Sequence, residues 1–74
     1  MDTITIGSIY VVPEGNGSWV IHGTKSSEHF GRFNDREAAI AAGRSLAMDK
    51  GFLLIVKRSQ KEVDYTEDYA SVNH

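Results

Sequence analysis

Residues 34–51, NDREAAIAAGRSLAMDKG, decide the fold, because they carry both ends and one face of an amphipathic helix. Asn34 suits the N-cap, where its side-chain oxygen accepts from a free N–H of the first turn. Glu37 follows at the capping-box spacing, and Phe33 with Ala38 has the spacing of a hydrophobic staple. Asp35 and Glu37 put negative charge at the positive end of the helix dipole, and Lys50 puts positive charge at the other end. Gly51 stops the helix by taking the left-handed conformation. Ala39, Ile40, Gly43, Leu46 and Ala47 recur at three- and four-residue steps and line one face. That face is mostly small. Gly43 in mid-helix costs about 1 kcal/mol relative to Ala, a cost that close approach to a sheet would offset.

Upstream of the helix, residues 9–12, IYVV, form a strand that Pro13 ends or confines to an edge. Residues 1–7 are a lead-in, although Ile4 and Ile6 alternate with Thr as in a strand. In Glu14-Gly15-Asn16-Gly17 the Asn-Gly pair signals a hairpin, with residues 18–23, SWVIHG, returning. Trp19 and Ile21 share one face of that strand, and Val20 and His22 the other. After a polar turn, residues 29–33, HFGRF, read as a third strand. His29, Gly31 and Phe33 fall on one side of it, Phe30 and Arg32 on the other. Downstream, residues 52–58, FLLIVKR, are apolar on both faces, as in a central strand. Residues 62–69, EVDYTEDY, alternate as a solvated edge strand, and residues 70–74 form a tail.

The element order is therefore β-β-β-α-β-β. It predicts a two-layer α+β domain, with one helix packed on one face of an antiparallel or mixed β-sheet. At 74 residues the reading is a single domain over residues 1–74. The absence of cysteine excludes disulfides and thiolate metal sites. No apolar run is long enough to span a bilayer, and the first residues do not resemble a signal peptide. A soluble, cytoplasmic protein is the expectation. The net charge of −2 and pI near 5.8 disfavour a dedicated nucleic-acid binder.

No motif demands a particular chemistry. His22 and His29 flank one turn and can face each other across a hairpin, but a metal ion needs a third ligand such as Glu28 or Asp68. The expectation is no metal and no cofactor. Ser26, Ser27, His29 and Asp35 are the residue types of a hydrolytic triad, yet nothing frames either serine as a nucleophile elbow. The Gly-rich stretch at 14–17 lacks the Lys and the following helix of a phosphate loop. No catalytic residue is assigned. If Trp19 faces the helix, the opposite face shows Val20 and His22, with Phe30 and Arg32 beside them. Tyr65 and Tyr69, set among acids, form a strip suited to strand addition by a partner or a second copy.

The chain resembles the short bacterial and phage proteins grouped as domain of unknown function 2188. The likeness rests on Val12-Pro13, Gly17 with Trp19, Phe33, Ala39-Ile40, Leu46-Ala47 and Gly51. It covers most of the chain, and it implies this fold without an activity, a cofactor or a catalytic residue. Family members often turn on a Gly after the last apolar strand, where this chain has Ser59-Gln60-Lys61. A looser likeness, to the arm-binding domains of phage-type integrases, implies a sheet laid in the DNA major groove. Lys25, Arg32, Lys57 and Arg58 are the cations placed for that role, diluted by acids.

The functional expectation is a non-enzymatic interaction module, accessory or prophage-encoded. It binds a protein partner or itself through the open sheet face or the edge strand, at Val20, His22, Phe30, Arg32, Tyr65 and Tyr69. Sheet-mediated DNA binding is the alternative.

Overall fold

The structure is a computed structural model that describes residues 7–24 and 29–70. The described elements are β1 (Ser8–Pro13), β2 (Trp19–His22), β3 (His29–Phe33), α1 (Arg36–Lys50), β4 (Leu53–Lys57) and β5 (Val63–Asp68). The strands form one sheet in the order β3-β2-β1-β4-β5. β1 and β4 are parallel, and every other pair is antiparallel. The sheet is therefore mixed. The helix is the reason: α1 carries the chain back along the sheet to the end where β1 and β3 begin, so β4 must set out in their direction.

The cap lies one residue later than the sequence spacing suggests. Asp35, not Asn34, is the N-cap, in extended conformation, and its Oδ2 accepts from the Ala38 N–H at 3.0 Å. Glu37 thus falls in the first turn one place early, and neither the capping box nor the staple is in register. Both side chains can cap, but a carboxylate also gains from the helix dipole. At the far end Gly51, at φ 69°, donates its N–H to the Ala47 carbonyl.

Ala39, Ile40, Gly43 and Ala47 are the buried positions of α1, and Leu46 packs at the margin of the core. Beneath them lie Ile9 and Val11 of β1, Ile21 of β2, and Leu54 and Val56 of β4, all fully buried. Burying each such aliphatic side chain contributes about 1.5–3 kcal/mol. A Cβ built on Gly43 would stand 2.7 Å from Val11 Cγ2 and 3.3 Å from Leu54 Cδ1. Helix and sheet thus meet closer than a side chain at that position allows without a shift of Val11.

The first hairpin loop is longer than its Asn-Gly pair implies. Pro13 pairs with Trp19, so residues 14–18 form the loop. Gly15 and Gly17 take the positive φ values, 88° and 90°. Asn16 instead accepts the Ser18 N–H on its side chain at 3.1 Å. Between β4 and β5 the Ser59 hydroxyl accepts the N–H groups of Lys61 and Glu62, both at 3.2 Å, and so shapes a turn with no glycine.

Candidate interaction surface

Alternation along the strands sets two faces. Ile9, Val11, Trp19, Ile21, Leu54 and Val56 point at α1. Trp19 is half-buried there, with the Arg36 guanidinium 5.8 Å from its ring centre. The reverse face carries Tyr10 and Val12 of β1, Val20 and His22 of β2, and Leu53, Ile55 and Lys57 of β4. Among the described residues no helix or strand covers it. Ile55 and Tyr10 are direct cross-strand neighbours and half-buried, and His22 and Leu53 are half-buried too. A shallow hollow of about 280 Å³ opens here, lined by Tyr10, Val12, His22, Lys57 and Gln60.

One end of this face is shielded by the chain's own polar side chains. Val12 and Val20 are each only 7% exposed. Arg32, the cross-strand neighbour of Val20, is paired with Glu14 at 3.1 Å. Lys57 Nζ donates to the Gln60 carbonyl at 2.9 Å, and Gln60 Nε2 donates to the Pro13 carbonyl. The accessible apolar part is therefore Tyr10, Leu53 and Ile55. Tyr10, Ile55 and Gln60 were not among the residues singled out from the sequence. The signal for Ile55 was the all-apolar run, which requires a side chain on the helix-free side.

His22 and His29 do meet across the β2–β3 hairpin, with ring centres 4.6 Å apart. Burial lowers the proton affinity of His22, and the neighbouring His29 lowers it further against a smaller opposing pull from Glu14. Asp68 cannot join them. It lies on β5, three strand spacings from β2, or about 14 Å. Glu28, like Ser26, Ser27 and Lys25, lies outside the described residues. Asp35, the acid of the triad reading, is spent on capping α1.

Phe30 is on the other side, and the edge strand β5 turns Tyr65 and Tyr69 toward that side too. A β-bulge interrupts the β2–β3 register between Ile21 and His22: Ile21 pairs with Gly31, and His22 with His29. The extra residue is Phe30. It swings out of alternation to the α1 side, beside Ala42, Ser45, Leu46 and Asp49, and Lys50 Nζ lies 5.8 Å from its ring centre. Phe30 therefore does not share a face with Arg32. Tyr65 pairs with Val56 and packs on the core, as does Tyr69. Both flank the helix side of β5. There Glu67 accepts from Arg44 at 2.9 and 3.2 Å and from the Tyr69 hydroxyl at 2.6 Å. The Arg44 hydrogen bonds hold the Glu67 carboxyl below its usual range, and the bond to Glu67 raises Tyr69 above the usual phenol range.

The three cations of the DNA reading that fall among the described residues are engaged. Arg32 binds Glu14, Lys57 binds the Gln60 carbonyl, and Arg58 binds Asp64 at 3.2 Å. Arg36 reaches the same Asp64 at 2.6 Å.

Residues 9–69 match a family model described as an uncharacterised protein conserved in bacteria, domain of unknown function 2188. Neither a curated protein nor a solved structure matches the chain. No described helix is long and apolar enough to cross a membrane.

Proposed function

For a chain that belongs to the domain of unknown function 2188 family of bacterial proteins, we propose the role of a non-enzymatic interaction module. It binds a protein partner or a second copy of itself through the sheet, by its reverse face or by an edge strand. One observation carries this reading: Tyr10, Leu53 and Ile55 form an apolar strip on a sheet face that no described element covers. Covering it removes apolar surface from water, which contributes about 25 cal/mol per Å². The groups with displaced titration support a non-enzymatic role. His22 lies on one face of the sheet, and Arg44, Glu67 and Tyr69 lie on the other. The last three meet at the Glu67 carboxylate, which is occupied by Arg44 and Tyr69, and His22 is on the opposite face from them.

The test is a dilution series of amide NMR spectra. Self-association by this face moves the resonances of residues around Tyr10, His22, Leu53 and Ile55 with concentration. Spectra that do not change up to millimolar concentration remove the homodimer. DNA on the same face finds less support, since Arg32, Lys57 and Arg58 already hold acceptors of this chain.

A further inference from the structure

The bulge that turns Phe30 toward α1 leaves a groove along the β3 edge of the molecule. Phe30 forms one wall, and Ala42, Ser45, Leu46 and Asp49 form the other, around about 470 Å³. Phe30 is 37% exposed, one of three large apolar side chains in solvent among the described residues. Lys50 Nζ lies 5.8 and 6.0 Å from the ring centres of Phe30 and Phe52. Asp49 brings a charge to the helix wall, and no described residue pairs with it. Along the rim, β3 is the last strand of the sheet, so its outer edge faces no described strand.

We propose that this edge takes an extended segment of a partner protein carrying one large apolar residue and, two residues away, a Lys or Arg. The inference rests on the interaction-module reading and names the partner's chemistry. The outward N–H and C=O groups of this exposed edge, which water otherwise satisfies, can pair along their length with another extended backbone. Every second side chain of the added strand points to the α1 side. One enters the groove against Phe30 and Leu46. Asp49 lies about one helical turn, roughly 5 Å, beyond Ser45 and Leu46. That nearly matches the roughly 6.7 Å between alternate side chains of a strand, so the next inward residue meets the carboxylate. The opposite edge does not offer this chemistry, because Asp64 and Glu67 of β5 are already matched by Arg36, Arg58 and Arg44. A second copy does not supply the segment either. β3 carries Phe30 and Arg32 two residues apart, but the bulge puts Phe30 on the α1 side and leaves Arg32 on the reverse face, so they do not enter the groove together, and β5 brings acids.

The test is selection from a random peptide display library on the full chain. Enriched sequences are then synthesised and titrated against wild type and Asp49→Lys, with amide NMR to locate the contact. Asp49 is exposed, so the variant folds, and its unaltered melting temperature checks this. The expected result is a pattern of a large apolar residue and a cation two apart. Resonances of β3 and of residues 42–49 should move, and Asp49→Lys should weaken binding several-fold. Any of three results overturns the site: no enrichment, peptides without the cation that bind both proteins alike, or shifts confined to the reverse face. A chain that self-associates through Tyr10 and Ile55 yet selects no peptide overturns this site and leaves the sheet-face reading standing. A chain that does neither overturns this site and removes the homodimer as well.

Discussion

Gly43 holds two opposed effects in one residue. Alanine there gains about 1 kcal/mol of helix propensity. Its methyl would also meet Val11 Cγ2 at 2.7 Å, in the fully buried centre of the core. Overpacking of that kind costs about 1–3 kcal/mol. Val11 is held from both sides, so the clash outweighs the gain. Gly43→Ala is expected to lower the melting temperature by a few degrees in a thermal scan, and a rise would contradict the close approach. His22 makes a second prediction at this scale. Its folded proton affinity is lowered, so below the ordinary histidine value of 6.5 the unfolded chain takes up the proton first. Stability is therefore full above that value and declines as pH falls through the lower, folded one. Urea unfolding of wild type and His22→Gln between neutral and mildly acid pH should show a shallower decline in the variant. Parallel declines would show that His22 is not responsible.

The helix was the most legible element, because its cap, its apolar face and its stop each have a local signature. The one-residue error at the cap arose because Asn34 and Asp35 are both competent, and sequence does not say which one the chain enters by. Asp35→Ala should cost about 1 kcal/mol, while Asn34→Ala should be close to neutral. Equal losses would put the cap back in question. The third strand was legible in extent, His29–Phe33, but not in facing. Gly31, at φ 147°, is the mark a bulge leaves in HFGRF, but it does not say which neighbour is extra, and one extra residue moves Phe30 to the other face. On β5 the alternation was legible, but not that its tyrosines flank the helix. The Glu67 carboxylate raises Tyr69, so Glu67→Gln should return one tyrosine to the ordinary range in an ultraviolet titration. An unchanged titration would mean that the hydrogen bond does not persist in solution.

For the whole molecule, the sequence supported an α+β sheet with one helix but not the strand order. Which strands become neighbours depends on where α1 returns the chain, a long-range property that no local pattern encodes. The same limit applied to the candidate surface. Val20, His22 and Arg32 were placed correctly on the helix-free face, whereas Tyr10 and Ile55 came into view only once β1 was seen beside β4. That face is half-covered by Arg32, Lys57 and Gln60 and open around Tyr10, Leu53 and Ile55. Sedimentation equilibrium of wild type beside Ile55→Lys tests its use most directly, since a lysine here can extend its ammonium into water without disturbing the core. The account predicts that the wild-type mass rises with concentration above the 8.2 kDa chain and that the variant stays at it. A wild-type protein that holds the single-chain mass throughout, or a variant that associates equally well, would contradict self-association through this face.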